Sequence, residues 1–227
     1  MCGRFNVLQT PGLGALLESL GCSLPPLTLA NVAPTESVPL LRGAAGEAEL
    51  AMAHWWLTPH WAKERSQKYA MFNARSESAA RSPAFRKPFA SQRGIVPMSS
   101  FIEWRKEGSA KQPWLITNVD EALAVAALWD LWCGEDPPLL SCTLMTTEAA
   151  AAFRPWHSRM PVLLEPEEQR RWLDNSHKIE SDDALFAPVL KQTLRLAPVS
   201  ASVGNSSQKS PELMLAQGDW VELAPGT

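Results

Sequence analysis

The segment LAVAALW, residues 123–129, is apolar throughout and has the length of one β-strand. A second run, LLSCTLMT at residues 139–146, is also rich in apolar and β-branched side chains. Short continuous runs of this kind are typical of strands in a buried sheet. The two segments therefore predict neighbouring strands at the centre of the protein.

Shorter strands and several helices are predicted on either side of this centre. Strand-like segments fall at residues 38–42, 50–56, 94–97, 114–119, 160–164 and 194–199. A helix is predicted over residues 13–20, because Thr10 suits its N-cap and Gly21 its end. Further helices are predicted over residues 76–80, from Thr147 to Pro155, over 166–174 and over 181–190.

The strands outnumber the helices and do not alternate with them one for one. This order favours the α+β class over a doubly wound α/β sheet. We predict a single compact domain over residues 1–227, with a twisted mixed or antiparallel β-barrel-like core flanked by helices. No linker or internal repeat divides the sequence.

The composition is that of a globular protein, with 227 residues of which 45% are hydrophobic and 20% charged. No apolar run reaches the roughly 18 residues of a membrane span, and no signal peptide is recognised at the start. We therefore expect a cytoplasmic protein, or a nuclear one if the source is eukaryotic, with no membrane contact. The cysteines have no metal-ligand spacing, so no metal and no cofactor is implied. Cys133 and Cys142 are predicted to be buried, and Cys22 is predicted to be structural.

Positive charge is concentrated in the middle of the chain. Residues 63–111 hold eleven Lys or Arg and four acidic residues, a net charge of +7, which leaves −10 for the rest of a chain whose total is −3. Such a segment can form one face that binds an anion, or simply a solvated surface. Charge alone leaves both interpretations open.

The N-terminus is a candidate reactive group. Met1 precedes the small residue Cys2, so removal of Met1 would leave an α-amine and a thiol on neighbouring carbon atoms. The reference pKa is about 7.7–8.0 for the amine and about 8.5 for the thiol, so both are partly nucleophilic near neutral pH. Two reactions fit this group: capture of an aldehyde as a five-membered thiazolidine, and acyl transfer by the thiol with the amine as base.

Several separated motifs occur in one order along the chain. They are MCGRF (1–5), NVAPT (31–35), WWLTPHW (55–61), FNARSE (72–77), FIEW (101–104), ALW (127–129), HSRMP (157–161) and VGN (203–205). In this order and spacing the sequence resembles the SOS-response-associated peptidase (SRAP) family over nearly its whole length. The resemblance implies an α+β fold with a twisted barrel-like core. It also implies covalent capture of abasic sites in single-stranded DNA by the N-terminal cysteine, as a thiazolidine.

The resemblance also implies roles for particular residues. Cys2 would be the nucleophile, assisted by Asn73, Glu103 and His157. The residues implied to contact DNA are Arg4, Asn31, Pro34, Trp55, Arg75, Trp104 and Arg159. The expected partner is single-stranded DNA with abasic sites, bound by a monomer, and lyase and autoprocessing peptidase activities are implied beside the crosslink.

The residues themselves support part of this assignment. Glu103 lies between Ile102 and Trp104, an apolar setting that would raise its pKa toward the range of a general acid or base. His157 is the second predicted proton carrier, because imidazole titrates near neutral pH. Trp55 and Trp104 are candidates for stacking on bases, with burial in the core as the alternative.

The sequence departs from the family's usual pattern at three positions. Ser100 and Trp56 stand where the family often has glycine, and Ala84 supplies no large apolar side chain to separate bases. Two other functions remain open: an N-terminal-cysteine peptidase or amidohydrolase, and a non-catalytic reader of modified DNA bases. The second predicts DNA binding that survives loss of Cys2.

Overall fold

A computed structural model describes residues 3–23, 27–43, 48–118 and 121–226 of the protein. The strands are β1 (Phe5–Val7), β2 (Leu29–Val32), β3 (Ser37–Arg42), β4 (Glu49–Trp55), β5 (Asn73–Arg75), β6 (Arg93–Met98), β7 (Ser100–Glu107), β8 (Ala110–Asn118), β9 (Leu123–Trp132), β10 (Leu139–Glu148), β11 (Arg159–Pro161), β12 (Leu194–Pro198) and β13 (Val221–Leu223). The α-helices are α1 (Pro11–Ser19), α2 (Ser76–Ala79), α3 (Arg86–Ser91) and α4 (Pro166–Leu173).

Five strands close into a barrel, in agreement with the predicted fold class. β9 pairs with β6, β6 with β3, β3 with β4 and β4 with β10, and β10 returns to pair with β9. These pairings are antiparallel except for the parallel pair of β4 and β10. Closure leaves no unpaired edge in the ring, where another chain could add a strand.

β9 explains why residues 123–129 are apolar without alternation. Its residues 123–128 are at most 1% exposed. Side chains alternate across a strand, so one set faces the barrel interior while α3 and α4 pack against the strand and cover the other set. Both faces of β9 are therefore buried, which is the arrangement that a continuous apolar run predicts.

A second, antiparallel sheet packs beside the barrel. Its strand order is β13-β12-β8-β7-β1-β2. The two sheets share one core: the Phe5 ring on β1 meets the Trp55 ring on β4 edge to face, with 4.8 Å between ring centroids. The same apolar cluster extends from Phe5 to Leu223 on β13. No helix in the described part of the chain is long and apolar enough to cross a membrane.

The local signals for helices were right in some places and wrong in others. Thr10 caps α1 as predicted, since its Oγ1 accepts a hydrogen bond from the Leu13 amide at 3.2 Å. The helix predicted after Thr147 is wrong, because Thr147 lies inside β10 and its hydroxyl donates to the Phe186 carbonyl at 2.6 Å. The helix predicted over residues 181–190 is also wrong, because only the short 3₁₀ turn Ala184–Phe186 forms there.

The three described cysteines differ in their surroundings. Cys142 is buried in β10, as predicted, and burial raises the pKa of its thiol. The Cys22 thiol is partly buried and donates to the Ala48 carbonyl at 2.5 Å. The prediction for Cys133 is wrong, because this residue is exposed at the end of the β9 hairpin.

Arg93 is a buried cation within the positively charged segment 63–111. The residue is 0% exposed on β6. Its guanidinium group donates to the carbonyls of Trp172 at 2.8 Å, Asp174 at 2.6 Å and His177 at 2.9 Å. Two longer bonds reach the carbonyls of Phe89 and Ala90. Arg93 therefore connects the barrel to the ends of α3 and α4 and adds nothing to a surface that could bind an anion.

Replacement of Arg93 by Met should destabilise the protein by about 3–5 kcal/mol, because buried carbonyls would lose a charged donor that methionine cannot replace. Chemical denaturation measures this change. Arg170→Met is the matched control, because the Arg170–Glu167 pair is exposed and such pairs contribute roughly 0–1 kcal/mol. Equal stability of the two variants would contradict the structural role of Arg93.

Candidate active site

Glu103 is a buried carboxyl in the interface between the two sheets. It is 2% exposed on β7, opposite Trp114 on β8. Alternation along β7 places Glu103 on the same face as Phe101, which packs against Phe153 of the main core. Burial disfavours the charged form and raises the pKa of Glu103 to about 7. At neutral pH this carboxyl can both give and take a proton.

The start of the chain runs toward Glu103. β1 and β7 are antiparallel, with Phe5 opposite Phe101. The Ile102 amide donates to the Arg4 carbonyl at 2.9 Å, so the pairing continues one step toward the N-terminus. Arg4 and Gly3, the described residues before Phe5, therefore extend along β7 in the direction of Glu103. Cys2, the predicted nucleophile, lies outside the described residues.

The turn that carries His157 packs against the same part of the second sheet. The Trp156 ring meets the Trp114 ring edge to face at a centroid distance of 5.6 Å. The guanidinium of Arg105 lies over both rings, 5.5 Å from the Trp114 centroid and 5.4 Å from the Trp156 centroid. Because Trp114 is the strand partner of Glu103, these contacts hold the His157 turn beside the buried carboxyl.

The His157 imidazole is held in one orientation. Its Nδ1 lies 2.9 Å from the Arg159 amide nitrogen and 3.1 Å from the Arg159 carbonyl oxygen, so the backbone of Arg159 positions the ring. Burial lowers the pKa of His157 below its usual value. The neutral form therefore predominates at pH 7 and presents an N–H donor.

Asn73 and Arg75 are placed by β5, a short strand parallel to β10. Asn73 lies opposite Leu144 and is 8% exposed, whereas Arg75 lies opposite Thr146 and is exposed. β11 pairs with the same end of β10, where Arg159 lies opposite Glu148. One end of β10 thus brings the FNARSE and HSRMP motifs together, although they are about eighty positions apart in the sequence.

Glu77 is a member of this cluster to which the sequence analysis assigned no role. Its carboxylate receives two bonds from Arg159, from Nη1 to Oε1 at 2.5 Å and from Nη2 to Oε2 at 3.0 Å. The same Nη2 donates to the Thr146 carbonyl at 2.8 Å. Partial burial raises the pKa of Glu77, but the bonds from Arg159 outweigh it, so that the pKa is lowered overall. In the sequence, the only local indication of the Glu77–Arg159 pair is that Glu77 lies two positions after Arg75.

Two residues predicted to contact DNA are buried and form hydrogen bonds within the protein. Trp55 is 0% exposed, and its Nε1 donates to the Phe72 carbonyl at 2.8 Å, so its ring lies in the core, the alternative given above. Asn31 is also 0% exposed, and its Nδ2 donates to the carbonyls of Asn205 and Gln208 at 3.0 Å each. Asn31 therefore fastens the segment after residue 204 onto β2. Both side chains are buried in the free protein, and their direct contact with DNA stays a prediction.

Of the remaining predicted DNA contacts, Trp104 and Arg4 lie on another face. Trp104 is partly exposed and packs against the small apolar cluster of Ile102 and Val203, on the side of β7 opposite to Glu103. Arg4 reaches the same side, where its Nη2 donates to the Gly204 carbonyl at 3.4 Å. Pro34 is partly exposed in the turn after β2. Contacts of these three residues with DNA stay predictions.

Metal binding has no support in the part of the chain that the structure covers. Within residues 3–23, 27–43, 48–118 and 121–226, no group of three or more His, Cys, Asp or Glu side chains could hold a metal ion.

Comparison with known proteins gives the family. The SOS response associated peptidase (SRAP) family matches residues 1–206. The abasic site processing protein YoqW of Bacillus subtilis is 34% identical over 81% of this chain and 84% of that protein. The abasic site processing protein YedK of Escherichia coli is 31% identical over 94% of this chain and 99% of that protein. The chain therefore belongs to the SRAP family.

Solved structures share the fold. A phage-related protein of Bordetella bronchiseptica superimposes with a TM-score of 0.69 and 23% identity, over 87% of this chain and 94% of that one. A protein of Bacteroides thetaiotaomicron gives a TM-score of 0.67 and 23% identity, over 83% of this chain and 86% of that one.

The raised pKa of Glu103 predicts how one variant changes with pH. The Glu103 carboxyl binds a proton more tightly in the folded chain than in the unfolded chain. Its protonated form therefore stabilises the folded chain below pH 4.5, and this stabilisation is lost as pH rises through about 7. The loss amounts to roughly 3 kcal/mol. Glu103→Gln removes this pH-dependent loss. The free energy of unfolding of the variant, relative to that of the wild type, should therefore rise by roughly 3 kcal/mol between pH 4.5 and pH 8.

Denaturation at each pH measures this difference, and Glu77→Gln is the matched control. The pKa of Glu77 is lowered, so its ionised form stabilises the folded chain. The relative stability of that variant should fall as pH rises from 3 to 6. A relative stability of Glu103→Gln that stays flat with pH would contradict the environment described for Glu103.

Proposed function

We propose that this protein captures abasic sites in single-stranded DNA as a covalent crosslink to Cys2. The observation that carries the proposal is the buried Glu103, with its pKa of about 7, on the strand beside which the chain start runs. Cys2 is joined directly to Gly3, and neighbouring Cα atoms are about 3.8 Å apart. Two relatives that span most of this chain carry the name abasic site processing protein.

The chemistry requires two successive additions to one carbon atom. After loss of Met1, the Cys2 amine attacks the aldehyde carbon of the opened sugar to give a carbinolamine, which loses water to form an imine. The thiol then adds across the C=N bond, with sulfur bound to carbon and the proton to nitrogen. The product is a thiazolidine that joins protein and DNA without an external reductant. An internal cysteine cannot form this ring, because its nitrogen belongs to an amide.

Proton transfer is the part that the described residues would perform. An abasic sugar is mostly a closed hemiacetal, so opening it moves a proton from the C1 hydroxyl to the ring oxygen. Glu103 is close to half protonated at pH 7 and can remove one proton and return it at dehydration of the carbinolamine. The His157 imidazole would assist as a hydrogen-bond donor to a sugar oxygen. The Asn73 amide would hold the amine and the opened sugar together.

DNA binding would use cations around these groups. Arg75 is exposed beside Asn73 and suits a phosphate. Arg159 would bind a phosphate only in competition with Glu77.

We expect a monomer that prefers single strands, since a duplex buries the reactive aldehyde. We expect this protein in the cytoplasm of a bacterium or the nucleus of a eukaryote. Strand cleavage by β-elimination from the imine, and autoprocessing at Met1, are the further activities that we propose.

The nucleophile is tested with an abasic single-stranded oligonucleotide on a denaturing gel. The wild type should give a shifted covalent band, and intact mass should lack Met1. One extra residue placed before Cys2 should abolish the band. Cys2→Ser should give a band only after borohydride reduction, because its amine forms an imine but no ring. Cys133→Ser, at an exposed cysteine, is the control and should crosslink as the wild type does. A wild type without any band would overturn the proposal.

Loss of the proton carrier should slow the reaction without loss of binding. Glu103→Gln keeps the size and most hydrogen bonding of the side chain but removes its proton exchange, so crosslinking should be slower by about 100-fold or more. Affinity for unmodified single-stranded DNA should change little. The initial rate of band formation and fluorescence anisotropy measure the two quantities. A variant that crosslinks at the wild-type rate would remove Glu103 from the mechanism.

A further inference from the structure

Arg105 is a cation at the edge of the candidate active site, on the same face of β7 as Glu103. It lies two positions after Glu103, and side chains two apart on a strand point to the same side. Its guanidinium carbon is 5.5 Å from the centroid of the Trp114 ring and 5.4 Å from that of the Trp156 ring. The two rings meet at 79°, with 5.6 Å between their centroids. We call Arg105, Trp114 and Trp156 the Arg105 cluster.

A guanidinium group suits this position. It is planar, delocalised and weakly hydrated, so it can lie against aromatic rings without a large loss of hydration. A cation within about 6 Å of a ring centroid is attracted to the ring, and the attraction increases where water is excluded. Both indole rings are 8% exposed, whereas the Arg105 side chain is 38% exposed. Arg105 therefore lies at the solvent boundary of two nearly buried rings.

Ring contacts rather than hydrogen bonds hold the two indoles in place. In the part of the chain that the structure describes, the buried Nε1 atoms of Trp114 and Trp156 have no hydrogen-bond partner. A buried indole N–H usually has an acceptor, which fixes the ring. The orientation of the Trp156 ring depends instead on its packing against Trp114, Arg105 and Phe153, whose ring centroid is 6.3 Å away.

The turn that ends at His157 is attached to the second sheet through aromatic rings. The Phe153 ring packs against Phe101 of β7 at a centroid distance of 6.2 Å, and the Trp156 ring packs against Trp114 of β8. Within the turn, the His157 amide donates to the Phe153 carbonyl at 3.4 Å, which is a long bond. Since Trp156 directly precedes His157, the place of its ring determines the place of the imidazole.

An ion pair does not account for the position of Arg105. Its Nε lies 3.9 Å from Oε1 of Glu107, and both side chains are partly exposed. An exposed pair at this distance contributes little to stability. Phosphate binding by Arg105 is the alternative to a role in packing, and it would appear as a loss of affinity for DNA.

We propose that Arg105 is a positioning residue for His157 and acts through Trp156. With the guanidinium against both rings, the turn is fixed and the imidazole is held at one place beside Glu103. Without it, the rings lose a contact on their solvent side and the turn loosens. A misplacement of about 1 Å can cost roughly 100-fold in rate. The inference rests on the proposed function, in which His157 takes part in proton transfer.

The rate of the chemical step and the affinity for DNA are measured separately. A labelled abasic single-stranded oligonucleotide reacts with excess protein at increasing concentrations, and the denaturing gel gives the crosslinking rate at saturation. Anisotropy with unmodified single-stranded DNA gives Kd. Arg105→Met should lower the saturating rate by about ten- to 100-fold. Arg154→Met is the matched control, because Arg154 is exposed on the same turn and the variant loses the same charge. The control should react at the wild-type rate, and the two variants should have the same Kd.

A double-mutant cycle tests whether Arg105 acts through Trp156. Trp156→Leu removes the ring but keeps the charge of Arg105, and it should also lower the saturating rate. Arg105→Met added to Trp156→Leu should then lower the rate no further, because residues that act as a unit have non-additive effects. Thermal unfolding checks that each variant is folded.

The titration of His157 reports its surroundings in the absence of DNA. The chain has four histidines, so proton NMR can follow each ring, and His157→Gln identifies the signal of His157 by its loss. Burial lowers the pKa of His157. A loosened turn hydrates the imidazole, so this pKa should rise toward about 6.5 in both Arg105→Met and Trp156→Leu. Because Trp156→Leu keeps the charge of Arg105, a rise in both variants comes from packing.

The outcomes separate this inference from the proposed function. If Arg105→Met raises Kd and leaves the saturating rate unchanged, Arg105 binds a phosphate and the inference fails. Losses that multiply in the double variant, or a His157 pKa that Arg105→Met leaves unchanged, would also overturn it. If the wild type forms no crosslink, the proposed function fails, while the His157 titration still tests whether Arg105 positions this ring.

Discussion

Pairing along β10 is the constraint on which the rest of the structure depends. This strand closes the barrel between β9 and β4, and beyond the ring it continues to pair with β5 and β11. Its first half is therefore core and its second half is scaffold for the candidate active site. Asn73 and Arg159 owe their proximity to this strand rather than to their own short elements, because strands of three residues are marginal alone.

The buried carboxyl shows how the second sheet contributes. A solvent-exposed Glu103 would be ionised at neutral pH and would be a poor acid. Its place on β7, covered by Trp114 and the Trp156 turn, removes water and brings the pKa near 7. This gain in chemistry has a cost in folding free energy, because an ionised carboxyl is disfavoured inside the protein. Destabilisation of this kind is typical of functional sites, where pKa values depart from their usual range.

Glu77 and Arg159 illustrate a different balance. Both ions are held close to β10, and the pair orders the corner between β5 and β11. A bidentate carboxylate has the geometry that a phosphate oxygen pair would also have. The pair therefore stabilises this corner and keeps Arg159 bound to Glu77. The exposed Arg75 forms no ion pair with any described residue, so it is the cation beside Asn73 that can bind a phosphate without first losing one.

The amino-acid sequence by itself determined the strands at 123–129 and 139–146, the cap of α1 at Thr10, and the apolar setting of Glu103. These features depend on neighbouring residues, so a local pattern contains them. The burial of Trp55, Asn31 and Arg93 and the Glu77–Arg159 pair were decided only by the tertiary structure. Each depends on which distant segments meet, and the long-range pairing and packing that bring them together are not encoded in any short stretch of the chain.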